Sequence, residues 1–152
     1  PGAFTTIIDR FKGKRFHSPN DLILHSNGDL YFTDPPYGLS GDNDPLRELE
    51  SNGVYRLSKE GESSLIYHQL NRPNGLALSP DEKTFYIANS DANRNLWMAF
   101  DLVDGKLLNE RVFFDATSID LPGLADGMKV NKNGYVFATG PGGVLVFNPK
   151  GK

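Results

Sequence analysis

Asn20, Asn74 and Asp126 carry oxygen-bearing side chains, and each opens the same short phrase. The phrases are Asn20-Asp-Leu-Ile-Leu, Asn74-Gly-Leu-Ala-Leu and Asp126-Gly-Met-Lys-Val, 54 and 52 residues apart. A fold that stacks these copies around an axis would bring the three side chains to one end of it. One carboxylate and two amides suit a hard cation such as calcium, magnesium or manganese. The absence of Cys, with no His in the set, argues against zinc or copper as the preferred metal. A set so low in charge calls for one more acidic ligand, and no fourth copy of the phrase supplies it. At any single position the alternative is a cap, because Asn or Asp before a strand bonds readily to nearby backbone.

The elements that must position these residues read as strands. Leu22-Ile-Leu, a Ser26-Asn-Gly-Asp turn and Leu30-Tyr-Phe-Thr form a hairpin grammar, since Asn-Gly tolerates the positive φ angles of tight turns. The grammar recurs as Leu76-Ala-Leu, Ser79-Pro-Asp-Glu-Lys and Thr84-Phe-Tyr-Ile-Ala, then as Met128-Lys-Val, Asn131-Lys-Asn-Gly and Tyr135-Val-Phe-Ala-Thr. Third strands are predicted at Gly53-Val-Tyr-Arg-Leu, Asn95-Leu-Trp-Met-Ala-Phe and Gly143-Val-Leu-Val-Phe. Fourth strands are predicted only in the first two units, at Ser64-Leu-Ile-Tyr and Arg111-Val-Phe-Phe.

Four-stranded antiparallel units at a period near 50 residues are the pattern of propeller blades. The expectation is an all-β fold, one partial β-propeller domain over 1–152, with blade units at about 16–70, 71–121 and 122–152. A plain sandwich is the alternative, but it has no reason to restart one phrase at equal intervals. Three blades are too few to close a ring, so either a larger propeller is cut or two copies meet.

Composition agrees. The 152 residues are 38% hydrophobic with 16 Gly and 10 Pro, which suits short strands and turns. A net charge of −3 without a basic run gives no footprint for nucleic acid or an anionic membrane. Without Cys there is no disulfide framework or thiol nucleophile. No apolar stretch reaches membrane-spanning length and no signal peptide opens the chain, so it reads as soluble, cytoplasmic or periplasmic. The missing initiator Met suggests a processed chain or an excerpt of a longer one.

An insertion from Asp34 to Asn52 delays the third strand of the first unit. It reads either as a lid over the mouth of the channel or as a solvated loop. Its Asp42-Asn43-Asp44 run lacks the Gly and Glu of an EF-hand and is discounted as a calcium loop. The aromatics Tyr31, Phe32, Phe85, Tyr86, Tyr135 and Phe137, with Trp97 and Phe100, are expected in the interfaces between blades; Tyr37 is the one aromatic expected near a substrate. Serine nucleophile chemistry has no support, because Gly-x-Ser-x-Gly is absent and His17, His25 and His68 lack evident partners. His17, three residues before Asn20, could still approach a pocket.

Four segments carry a family resemblance: His17-Ser-Pro-Asn-Asp-Leu, Tyr31-Phe-Thr-Asp-Pro-Pro-Tyr-Gly-Leu, Arg72-Pro-Asn-Gly-Leu-Ala-Leu-Ser-Pro-Asp and Leu124-Ala-Asp-Gly-Met-Lys-Val. In order and at blade spacing, they resemble the SMP-30/gluconolactonase/LRE-like family, most closely its bacterial gluconolactonases. That resemblance implies a six-bladed propeller hydrolysing small cyclic esters such as sugar lactones. It also implies one divalent ion, commonly calcium, with magnesium, manganese and zinc as alternatives. Asn74 matches a metal-binding Asn, and Asp126 matches a metal-binding Asp that also serves as catalytic base. Asn20 matches a position touching substrate and, in related propellers, the metal; Asp21 matches a residue lining the pocket. Two departures stand out. The family's metal-binding Glu would precede anything in this chain, and the Arg found two residues before the substrate Asn in some animal members is Ser18 here.

The expected function is therefore metal-dependent lactone hydrolysis, with Asp126 as base, Asn74, Asp126 and Asn20 on the metal, and Asn20, Asp21, His17 and Tyr37 around the substrate. The alternative is a non-catalytic or truncated propeller segment that acts as a binding scaffold and self-associates through an open edge.

Overall fold

The computed structural model describes residues 2–41 and 43–152; Asp42, in the discounted acidic run, lies outside them. The described chain contains thirteen strands and no helix. A small hairpin, β1 (Arg10–Phe11) and β2 (Lys14–Arg15), comes first, turned by Lys12 and Gly13 at φ 51° and 80°. Positive φ at both central residues is the geometry whose twist matches paired strands.

Three antiparallel sheets follow, each in simple meander order. The first holds β3 (Leu22–Leu24), β4 (Leu30–Asp34), β5 (Gly53–Leu57) and β6 (Ser63–Tyr67). The second holds β7 (Pro73–Leu78), β8 (Thr84–Asn89), β9 (Leu96–Val103) and β10 (Lys106–Asp115). The third holds β11 (Met128–Val130), β12 (Val136–Gly140) and β13 (Gly143–Phe147). These are propeller blades, stacked face to face through the innermost strands: β7 packs against both β3 and β11.

Strand periodicity explains how the middle sheet serves two cores. Successive side chains point to opposite faces, so Phe85 and Ile87, with Phe100 and Met98 beside them on β9, face the first sheet and meet Tyr31, Val54 and Tyr67. Tyr86 and Ala88, with Ala99 and Trp97, face the third sheet and meet Met128, Val136, Ala138 and Phe147. Burying each large apolar side chain contributes about 1.5–3 kcal/mol relative to exposure. A third cluster covers the far side of the first sheet, where Phe32 and Tyr55 pack under Phe11, Phe16 and Leu49 from the hairpin and the insertion. The β1–β2 hairpin is therefore a cover, and it was absent from the sequence reading.

One expectation about packing is corrected. Tyr135 and Phe137, placed by the sequence in an interface like their counterparts, are exposed along with Val144 and Val146. Their strands occupy the far face of the third sheet, which no other described sheet covers. Trp97 and Phe100, by contrast, are fully buried as expected.

Stacking brings backbones very close at the start of β7. A methyl group on Gly75 would lie 2.2 Å from the Asp126 carbonyl oxygen, an obstacle that cannot rotate away. A methyl on Gly127, the equivalent residue of the third phrase, would meet nothing within 4 Å. Gly75→Ala should therefore destabilise the fold by about 1–3 kcal/mol, while Gly127→Ala should be near neutral. Thermal melts followed by circular dichroism check this, and equal midpoints for the two variants would contradict it.

Candidate functional site

The starts of β3, β7 and β11 lie at one mouth of the stack, and backbone bonding fixes the first and third in the same way. Asn20 N–H donates to the Thr33 carbonyl (3.0 Å) and Thr33 N–H returns the bond to Asp21 (3.0 Å). In the third sheet, Asp126 N–H donates to Thr139 (3.0 Å) and Thr139 N–H to Gly127 (3.0 Å). Both threonines fall 13 residues after the phrase opens, a regularity present in the sequence but missed there.

The approach to each of the first two phrases is held by the residue that closes the second strand of its sheet. Asp34, fully buried, accepts from the N–H groups of His17 (2.9 Å) and Ser18 (2.7 Å). Asn89 does the same in the second sheet, accepting from Arg72 N–H at 3.0 Å. Six of the eight buried polar residues, Thr33, Asp34, Asn52, Asn74, Asn89 and Asn95, gather at this mouth. Burying them is tolerated because each is bonded: Asn52 donates to the Asn71 carbonyl (2.7 Å) and Asn95 accepts from Ala125 N–H (2.7 Å), linking one sheet to the next approach loop.

The candidate residues fall into two groups. Asn74 is 6% exposed, with its carbonyl bonded by the Thr33 hydroxyl (2.8 Å) and its side-chain Nδ2 donating to the Tyr37 phenol (3.0 Å). The Ser90 hydroxyl lies near enough to this phenol to influence it, and the charge of Asp126 reaches it. Burial pushes the Tyr37 phenol above its ordinary range and Asp126 adds to that. Ser90, Asn74 and Arg72 pull the other way, but the phenol stays protonated at neutral pH. Asn20 and Asp126 are exposed, and their side chains accept or donate no hydrogen bond among the described residues.

Two other candidates have their polar side-chain atoms bonded within the fold. The Asp21 carboxylate accepts from Leu22 N–H (2.9 Å) with one oxygen and from Leu76 N–H in the next sheet (2.8 Å) with the other. It acts as a clasp between sheets rather than a free pocket group. The His17 ring, with its side chain 1% exposed, faces Asn52 Oδ1 from Nδ1 (3.1 Å) and the Leu49 carbonyl from Nε2 (3.2 Å). Both nitrogens are thus engaged with the insertion.

Among the described residues no three His, Cys, Asp or Glu side chains cluster. A cation at this mouth would depend on one carboxylate and amide oxygens. The donor set fits such an ion in one respect: with Nδ2 held by Tyr37, Asn74 has its Oδ1 left to coordinate, beside the unbonded Asn20 and Asp126 side chains.

Sheets of this topology stacked through their inner strands define the chain as part of a β-propeller. The SMP-30/Gluconolactonase/LRE-like family model matches residues 1–152, and the chain belongs to that family. It is 46% identical to a gluconolactonase of Zymomonas mobilis over 158 aligned residues, covering 97% of this chain and 43% of that protein. It is 32% identical to the lactonase drp35 of Staphylococcus saprophyticus, covering 87% of this chain and 39% of that one. The solved gluconolactonase of Xanthomonas campestris superposes with a TM-score of 0.83 at 38% identity, over 95% of this chain and 48% of the other. The chain therefore spans under half the length of these curated relatives.

If Asp21 is a clasp, Asp21→Ala should leave the Leu76 N–H unpaired and cost about 1–3 kcal/mol. Urea unfolding measures the loss, and hydrogen exchange should quicken at Leu76. Wild-type stability would place the carboxylate outside the fold's support.

Proposed function

We propose that this chain carries most of the metal and substrate site of a lactone hydrolase, with Asn74, Asp126 and Asn20 as ligands of one divalent cation, calcium first. The observation that supports this best is the mouth itself. Asn74 is turned by Tyr37 and flanked by the unbonded Asn20 and Asp126, in a chain closely similar to a protein named gluconolactonase. When bound, the cation supplies Lewis acidity toward the lactone carbonyl and its developing negative charge.

The chain's own groups account for the remaining steps. The Asp126 carboxylate, open to solvent, orients a water and takes its proton as the water oxygen bonds to the carbonyl carbon. The ring carbon–oxygen bond then breaks, and the ring oxygen leaves as an alkoxide that recovers the proton. Water and lactone thus become one hydroxy acid. The Asn20 amide is free to bond a substrate hydroxyl. A strained ester asks little of its base, so a carboxylate suffices.

Calcium calorimetry should give binding that Asp126→Ala abolishes, and a pH-stat assay on glucono-lactone should show turnover reduced about 10²–10⁴-fold in the same variant. Binding and turnover unaffected by Asp126→Ala would sink the assignment.

A second reading, a scaffold that self-associates, is favoured by the exposed Tyr135, Phe137, Val144 and Val146 on one sheet face. It predicts a dimer by size-exclusion light scattering that Phe137→Lys returns to a monomer. A wild-type monomer would dismiss it.

A further inference from the structure

We propose that Tyr37 is a positioning residue for the site, its phenol fixing the Asn74 amide so that Oδ1, not Nδ2, faces the mouth; this rests on the reading of Asn74 as a ligand. An isolated Asn amide can present either its oxygen or its nitrogen, and only the oxygen coordinates a cation or accepts from a substrate hydroxyl. In the structure Nδ2 donates to Tyr37 Oη at 3.0 Å. Here the phenol oxygen is the acceptor, so the NH₂ end of the amide is turned to it and Oδ1 to the other side. Ligand orientation by an outer partner of this kind is a general device of metal sites.

Tyr37 can act this way because the insertion that carries it is held in place. His17 grips the insertion's far end through Leu49 and Asn52, and the Arg15 main-chain N–H donates to Glu48 at 2.7 Å. Beside Tyr37, Gly38 lies so close to Ser18 that an added methyl would sit 3.2 Å from its hydroxyl. The missing side chain of Gly38 is therefore what fits this turn against Ser18, and the fully buried Asp34 accepts from the Ser18 N–H at 2.7 Å. The described residues of the insertion thus form a brim whose phenol reaches the inner strand of the neighbouring sheet.

The test compares wild type with Tyr37→Phe by ¹⁵N NMR of the Asn74 side-chain amide, assigned by its disappearance in Asn74→Asp, together with calcium calorimetry. The expected result is an amide pair that shifts and exchanges with water faster in Tyr37→Phe, with calcium bound about tenfold more weakly and an unchanged thermal midpoint. An amide signal indifferent to Tyr37→Phe overturns the proposal, whether or not calcium binds, and so does a moved signal with unaltered calcium affinity. A wild-type chain that binds no calcium, but whose amide signal responds, supports orientation by Tyr37 and instead overturns the cation reading above.

Discussion

Among the described residues, neighbouring sheets share no strand-to-strand hydrogen bonds, so they must be held together by packing and by a few side chains that cross between them. The Asp21 carboxylate is the central one, bonding Leu22 in its own sheet and Leu76 in the next. Around it the Thr33 hydroxyl reaches the Asn74 carbonyl and Gly75 lies against the Asp126 backbone. Each of these contacts fixes the start of an inner strand, and those starts carry Asn20, Asn74 and Asp126. The bonds that stack the sheets are thus the bonds that place the site.

The opposite ends of the sheets are held differently. There Glu82, at φ 57°, accepts from the main-chain N–H of Ser26 (3.0 Å) and from its hydroxyl, while Arg56 bonds Asp29 at 2.7 Å within the first sheet. These carboxylates have charged, hydroxyl or backbone partners. At the mouth, by contrast, buried amides predominate. An amide both donates and accepts, so it can join two elements and still present one atom outward. Asn74 bonds Tyr37 and keeps Oδ1 outward, whereas Asn52 uses both atoms, one on His17 and one on Asn71.

Much of the fold was legible because strand grammar is local. Apolar alternation and Asn-Gly or Asp-Gly turns located the strands of all three sheets within a few residues, and the third sheet lacks a fourth strand just as its sequence does. The β1–β2 hairpin was missed because two-residue strands around Lys12-Gly13 are too short to show a period. Tyr135 and Phe137 were misjudged because a pattern says which residues share a face, not whether another sheet covers it.

For the site, the sequence by itself determined the three phrases and hence which oxygen-bearing residues recur in register, since repetition along the chain becomes stacking in space. It did not determine their roles. Asp21 and His17 resembled pocket residues by position, yet one clasps two sheets and the other ties down the insertion, because their partners Leu76, Leu49 and Asn52 lie 55, 32 and 35 residues away along the chain. Hydrogen bonds of such range leave no mark on local pattern. Only the tertiary structure decided that Tyr37, in an insertion with no counterpart in the other units, meets Asn74 on the neighbouring sheet.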